Sequence, residues 1–437
     1  MENKALPEII LKDGCWSFVW DGRPHLLLAG EMRNSSSSDP VYMASVWPRM
    51  KAMNLNAVIA TVSWELIEPQ QGRFDFSGVD QLLAGARAHD LKLILIWFGS
   101  WKNGMSTYVP SWIKKDTVRF FRCRDAFGRP TRTISPLCDD CVEADAAAFA
   151  HLMAHLREQD AQAQTVLAIQ VENEVGLYGN ATDHSEKAQQ AFAEPISKAL
   201  AKAMGWPNGV WQDVLGESAE EVFMSWAFAQ AVGRIAAAGK AVYALPMFVN
   251  AWTKQYPNEH AGFYPSGGPV AEQYDLWRAA APVIDGYGAD VYQLNVREEL
   301  HRYQQQGHNP LLLPELRFDR WAVPMLLYAV GCSALLSSVF AIDDLGSHQA
   351  VTPGAVVQGV FDTFSAHDPT EGITTLYAEL RGMEPLLLQA RQEGRVQCSR
   401  PSHKTRKRER SKWWLIKQAS MLALMEDLER EEERRCL

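Results

Sequence analysis

No stretch of about 18 consecutive apolar residues occurs in the chain, so no apolar membrane-spanning helix is expected. An excess of basic charge is also missing. The formal net charge is −9, whereas a general nucleic-acid binder needs a basic face for phosphates. Cysteine is sparse and odd in number, seven scattered over 437 residues, which predicts reduced thiols rather than a disulfide framework. The opening residues, MENKALPEIILKDG, lack the basic and apolar regions of a secretory signal, so a cytoplasmic location is expected. Metal signatures are thin. Cys138 and Cys141 have the spacing of half a zinc site, with no second pair at a suitable distance. His151 and His155 lie four apart but lack the intervening Glu of a zinc-protease helix. Neither a metal nor an organic cofactor is expected.

What the chain does have is apolar runs that end in polar or aromatic residues. They occur at 26–31, 55–65, 91–98, 165–174, 243–252, 283–292, 309–316 and 335–343. Helical patterns lie between them, as at 41–54, 78–90, 143–159 and 217–239. Eight strands alternating with helices predict an α/β fold, a (β/α)8 TIM barrel with a parallel sheet closed on itself. The long segment 177–216 after strand four predicts an insertion over the barrel mouth. Residues 1–24 read as a lead-in, 25–390 as the barrel and 391–437 as a charged tail, helical or disordered. The tail's basic run, SRPSHKTRKRERSK, precedes apolar residues near helical spacing, and composition changes abruptly after about residue 396. That change fits a tail that binds nucleic acid or a partner, a terminal helix of no catalytic consequence, or a replaced C-terminal domain.

In such barrels the functional groups stand where strands end and βα loops begin. The strand ends supply Glu31, Trp64, Glu65, Trp97, Asn173, Glu174, Asn250, Trp252, Tyr292, Glu315 and Asp343. Acids, amides and aromatic rings in this proportion suit a carbohydrate site, and fifteen Trp and twelve Tyr add to that impression. The stretch AIQVENEVG at 168–176 ends a buried run with two acids flanking an amide, Glu172-Asn173-Glu174. Burying a carboxylate costs several kcal/mol unless it is paired, so such acids belong to an ion-pair network or to chemistry. Leu311-Leu312-Leu313-Pro314-Glu315 is a second buried run ending in an acid. Glycosidic cleavage needs one carboxyl to protonate the leaving oxygen and another to attack or to activate water. Glu174 and Glu315, at the tips of strands four and seven, are expected to face one another about 5–5.5 Å apart, the retaining geometry. Glu172 is expected deeper, paired with an Arg or Lys inside the barrel.

Ile169-Gln170-Val171-Glu172-Asn173-Glu174-Val175-Gly176 resembles the strand-four motif of glycoside hydrolase family 35 β-galactosidases, in particular a bacterial and fungal branch of that family. The segment from Trp64 to Ser77, WELIEPQQGRFDFS, is similar to their strand-two signature W-N-x-H-E-P-x-x-G-x-F-D-F-S. Gly30-Glu31-Met32-Arg33-Asn34-Ser35-Ser36 and Trp97-Phe98-Gly99-Ser100-Trp101-Lys102-Asn103 are further shared stretches. The resemblance implies an exo-acting retaining β-galactosidase, with Glu174 as general acid/base and Glu315 as nucleophile. It implies that Asn173 binds the sugar 2-hydroxyl and that Tyr292 holds the nucleophile. Trp97, Trp101 and Trp252 are candidate sugar platforms, and Glu31 and Asn250 candidate hydroxyl ligands. Glu68, in the E-P-x-x-G turn, fits a structural role. The implied partner is a β-galactoside or related oligosaccharide, with homo-oligomerisation left open. Three departures stand out. Strand two reads Trp64-Glu65 for Trp-Asn, with Ile67 replacing its His. The strand-three loop lacks the family's usual galactose-binding Glu. After Glu315 the chain continues Leu316-Arg317-Phe318-Asp319-Arg320, where the branch has Gln-Arg-Arg.

Overall fold

The computed structural model of the protein describes residues 5–254, 256, 258–293, 296–305, 309–344 and 369–396. The tail over 397–437 lies outside them. Within them, eight parallel strands form a closed barrel in chain order. The strands are β1 (Leu27–Glu31), β2 (Ala57–Ser63), β3 (Lys92–Lys102), β4 (Val166–Asn173), β5 (Met247–Trp252), β6 (Gly286–Asp290), β7 (Leu312–Leu313) and β8 (Leu336–Ser337). Each is followed by a helix: α1 (Pro40–Ala52), α2 (Ser77–Ala88), α3 (Asp139–Asp160), α4 (Ala219–Val242), α5 (Tyr274–Ala280), α6 (Val296–Gln305), α7 (Ala322–Gly331) and α8 (Thr370–Gln392). The architecture is the (β/α)8 barrel that the alternation predicts.

Strand β3 shows how the sequence builds the two layers. Ile94, Ile96 and Phe98 point into the barrel, where they pack with Ala29, Ile59 and Leu312. Leu93, Leu95 and Trp97 point the other way, into the apolar layer beneath the helices. Successive side chains on a strand take opposite faces, so a strand apolar on both faces is buried on both. Strands β7 and β8 are shorter than their apolar runs. Pro310 and Pro314 bracket β7, and a prolyl nitrogen donates nothing to a ladder.

Helix α1 begins at a prolyl residue, and the Asp39 carboxylate before it accepts the exposed amides of Val41 and Tyr42. Helix α8 closes the ring. Its Tyr377 hydroxyl donates to the Ala29 carbonyl at 2.8 Å, and its Glu384 carboxylate accepts the Leu26 amide at 2.8 Å. Below the barrel, the strands Glu8–Lys12, Cys15–Trp20 and Arg23–His25 form a small antiparallel sheet that plugs the floor with Phe18 and Trp20.

The insertion after β4 only begins over the mouth, where Leu177 pairs with Ser266. Its helices Glu186–Ala193, Lys198–Met204 and Trp211–Leu215 then run down the flank. Aromatic side chains decide this: Phe192 and Trp211 both pack edge-on against Phe223 of α4, and Trp211 also against Trp226.

Candidate active site

The ends of β3 and β4 do not follow plain alternation. Trp97 pairs with Val171 and Lys102 with Asn173, so five residues of one strand span the length of two on the other (102 − 97 and 173 − 171). Such a bulge re-aims side chains at a strand end. On β4 the backbone is left-handed at Glu172 (φ 63°) and again just beyond the strand at Glu174 (φ 46°). This is an uncommon conformation for residues other than glycine. The consequence is that Asn173 and Glu174 both face the mouth, while Glu172 turns out of the barrel. Glu172 does not pair with an Arg or Lys, as expected from its depth. It accepts the Ser100 and Trp101 amides at 3.1 and 2.7 Å and meets Asp145 of α3.

Four acids converge at the mouth: Glu31 from β1, Glu174 from β4, Asp290 from β6 and Glu315 beyond β7, all buried. One carboxylate oxygen each from Glu174, Asp290 and Glu315 lies within 4.8 Å of the others. Oxygens this close suit a retaining pair, whose carboxyl groups stand about 5–5.5 Å apart, better than an inverting pair at roughly 6.5–9.5 Å. The Tyr292 hydroxyl donates to the Glu315 carboxylate, and the Asn103 amide donates to that of Glu174. Asn173 accepts from Gln170 at 2.9 Å and from Asn250 at 3.1 Å, while its own amide nitrogen is buried with no partner among the described residues. Both oxygens of Glu31 and one oxygen each of Glu315 and Asp290 are likewise buried and, among the described residues, are met by no donor other than a fellow acid of the cluster. Unfilled polar atoms pointing into one space mark a place for a polar ligand.

Burial disfavours the charged form of every acid here, and mutual repulsion adds to it. Glu174 is pushed up to about 8, first by burial and then by the Glu315 charge. Glu31 and Asp290 rise well above the ordinary carboxylate range for the same two reasons. Glu315 is raised by burial, but the Lys102 charge and hydrogen bonds from Tyr292 and Glu31 oppose the rise. Glu315 is therefore the acid best supported as an anion, and Glu174 is a reservoir for a proton. Lys102 is itself buried, with its ammonium 5.3 Å from the Phe98 ring centre on the inner face of β3.

Lys102, Asn103 and Asp290 were not legible as site residues. Lys102 and Asn103 follow an apolar run whose continuous stretch ends at Phe98. Asp290 sits inside an alternating strand, where its parity with the inward-facing Gly286 and Gly288 of Gly286-Tyr287-Gly288-Ala289-Asp290 was the available signal.

Two expected sugar platforms are corrected. Trp97 faces outward, fully buried, and its indole N–H donates to Asp145 at 2.7 Å. Trp101, carried outward by the bulge, is buried against Phe228 of α4 and donates to the Ile134 carbonyl at 2.9 Å. Asn250 is re-read as a scaffold. Its amide N–H groups go to Asp290 at 2.6 Å and to Asn173, and its oxygen accepts the Glu174 backbone amide at 2.9 Å. Trp252 stays at the lip, half-buried and stacked on the exposed Tyr178 with ring centres 5.8 Å apart. Glu68 is structural, accepting from the Trp64 indole at 2.8 Å and the Gly72 amide at 2.7 Å. Asp343 anchors Arg33 and Tyr42, and Glu65 pairs with Lys114 on the surface.

With this geometry in hand, known proteins can be compared. The family model described as glycosyl hydrolases family 35 matches residues 17–258, more than half of the chain. The chain belongs to glycosyl hydrolases family 35. A β-galactosidase of Xanthomonas manihotis is 32% identical over 179 residues, which cover 39% of this chain and 27% of that protein. The alignment thus spans about a quarter of the length of that relative. Among solved structures, a β-galactosidase from Bacillus circulans sp. alkalophilus superposes with a TM-score of 0.58 at 14% identity, over 84% of this chain and 57% of the other. A β-galactosidase from Rahnella sp. R3 gives 0.52 at 17% identity, over 73% and 50%. The catalytic domain of a β-amylase from Paenibacillus polymyxa gives 0.50 at 13%, over 66% and 85%. Identities this low speak to the shared barrel alone. The family 35 match includes Glu31, Asn173, Glu174 and Asn250 but stops before Asp290, Tyr292 and Glu315, so the second half of the site rests on its geometry.

Proposed function

We propose that this protein is a retaining, exo-acting β-glycosidase that hydrolyses terminal β-galactosides, with residues 25–390 as its catalytic unit. The observation that carries this reading is the buried Glu174–Glu315 pair, with oxygens within 4.8 Å and with Lys102 and the Tyr292 hydroxyl favouring the anion on Glu315. The Glu315 carboxylate attacks the anomeric carbon as protonated Glu174 gives its proton to the departing glycosidic oxygen, leaving a glycosyl ester on Glu315. Glu174, now a carboxylate, removes a proton from water as that water displaces Glu315 from the sugar. Tyr292 holds Glu315 in line, and the unfilled amide of Asn173 reaches the sugar 2-hydroxyl, a contact that strengthens in the transition state. Glu31 and Asp290, with unfilled oxygens, accept further hydroxyl groups of the ring. Half-buried Trp252 supports the substrate at the lip. The chemistry assigned to these residues uses no metal or organic cofactor.

The test is hydrolysis of a panel of p-nitrophenyl β-glycosides by the purified protein. Turnover highest on the β-galactoside supports the reading, and a preference for a β-glucoside or an arabinoside retains the mechanism and changes the sugar. Silence across the panel, with sugar binding intact, makes the barrel a binding protein.

A further inference from the structure

Behind the site, on the outer side of the barrel wall, lies a second pair of acids that the proposed reaction does not use. Glu172 of β4 and Asp145 of α3 are both fully buried. Their donors are neutral. Asp145 accepts the Trp97 indole N–H at 2.7 Å on one oxygen, and the Ser100 amide and hydroxyl at 2.8 and 2.6 Å on the other. Glu172 accepts the Trp101 amide at 2.7 Å and shares the Ser100 amide at 3.1 Å. The side chains meet across Gly99. A Cβ at that glycine would stand 2.6 Å from an oxygen of each acid, so the pair occupies the space of the missing side chain. The other titratable group against them is the Cys141 thiol of α3, 3.5 Å from the Ser100 hydroxyl.

Two carboxylates cannot both stay ionised in contact without a cation, so one proton must lie between them. The donor count says which acid holds it. Asp145 is satisfied as an anion by three protein donors. Glu172 has one short donor, and its Oε1 faces Asp145.

We propose that Glu172 and Asp145 act as a proton-sharing clamp, with the proton on Glu172, that fixes the bulged end of β3 to the left-handed end of β4 and so aims Glu174. Lys102 and Asn103 lie immediately beyond one clamped segment, and Asn173 and Glu174 beyond the other. These are positioning residues, and the inference rests on the acid role of Glu174 proposed above. Gln at 172 keeps the short bonds of the protonated acid, because its amide donates to Asp145 and its oxygen accepts from Trp101; it gives up only the 3.1 Å arm of the Ser100 amide, which Asp145 still accepts at 2.8 Å. Asn at 145 cannot substitute, because its amide nitrogen would confront either the Trp97 or the Ser100 donors.

The experiment measures kcat/KM on phenyl and dinitrophenyl β-galactosides for wild type, Glu172→Gln, Glu172→Ala, Asp145→Asn and Glu174→Ala, with melting curves to verify folding. Dinitrophenolate departs without a proton, so a misaimed acid spares that substrate. Glu172→Ala and Asp145→Asn are expected to lose about 100-fold on the phenyl substrate and far less on the dinitrophenyl one, as for a misplacement near 1 Å. Glu172→Gln is expected to stay within about threefold on both, because it retains the clamp's short hydrogen bonds. A Glu172→Gln variant as damaged as Glu172→Ala, or equal losses on both substrates, would overturn the clamp. If Glu174→Ala itself shows no dinitrophenyl preference, the acid assignment fails instead. The proton can also be read without turnover. At neutral pH the difference infrared spectrum of wild type minus Glu172→Gln should show one protonated-carboxyl component, and a difference spectrum without it would contradict the proposal.

Discussion

Two clusters of buried acid flank the tip of a single strand, and they differ in what remains unfilled. Outside the barrel wall, every oxygen of Glu172 and Asp145 accepts a hydrogen bond from the protein. Inside, among the described residues, both oxygens of Glu31 and one each of Glu315 and Asp290 have no donor but a neighbouring acid, and the Asn173 amide nitrogen has no partner. Both clusters are buried and both hold protons above the ordinary carboxylate range. Raised proton affinity therefore does not separate chemistry from architecture. Unused hydrogen-bonding capacity, aimed at a common space, does. Unfilled buried polar atoms destabilise a fold, and here they surround the position where a sugar would supply the missing partners.

The largest effects should come from the inner cluster. Glu174→Ala is expected to lower kcat/KM on a phenyl β-galactoside by about 10²–10⁴-fold, the usual worth of a positioned general acid. Its melting temperature should hold or rise, because a buried acid without a full set of partners is removed. Parallel rate and melting measurements on both clusters test the contrast directly. An outer-cluster variant that loses rate while gaining stability would break it.

Next is Lys102, whose charge opposes the burial that raises Glu315. With Lys102→Met, Glu315 should hold its proton to higher pH. The acid limb of the kcat/KM profile then moves up, and each unit of movement costs about tenfold in the ionised fraction at a pH below the limb. A pH–rate profile checks this, and an unmoved acid limb would remove Lys102 from the account.

Stability should respond to pH with a defined sign. Glu31, Glu172, Glu174 and Asp290 all have folded-state proton affinities raised above their ordinary values. Folding thus favours the protonated forms. Their contribution is complete below the unfolded value of about 4 and is lost as pH rises through the folded one. For Glu174 that loss centres on about 8. Denaturant midpoints should accordingly fall from about pH 6 to about pH 9, and Glu174→Gln should flatten part of the fall.

The smallest effects compare two tryptophans. Trp97→Phe strands an Asp145 oxygen and should cost about 1–3 kcal/mol of stability with KM little changed. Trp252→Ala, at the lip, should do the reverse, raising KM and leaving the melting point nearly unaltered.

Most of the barrel and half of the site were legible in the sequence for one physical reason. A strand buried on both faces is a continuous apolar run, so a polar residue at its end stands out, as Glu31, Asn173, Glu174 and Glu315 do. The errors have equally local causes. Ile94, Ile96 and Phe98 alternate cleanly, and that alternation already places Trp97 on the outer face. The bulge between Trp97 and Lys102 leaves no trace in a period-two pattern, so the pattern does not reveal that Trp101 turns outward or that Lys102 and Asn103 reach the site. Glu172 was expected to need a cation, because backbone amides freed by a bulge cannot be counted from composition.

The central claim is that Glu315 attacks and Glu174 serves the proton. It is tested most directly by incubating the protein with an activated fluorosugar β-galactoside, whose covalent intermediate forms and hydrolyses slowly, and then mapping the label by mass spectrometry. The account predicts one sugar per chain, attached to Glu315, with Glu315→Ala unlabelled. A label on Glu31, Asp290 or Glu174, or turnover with no covalent adduct and inverted product, would contradict it.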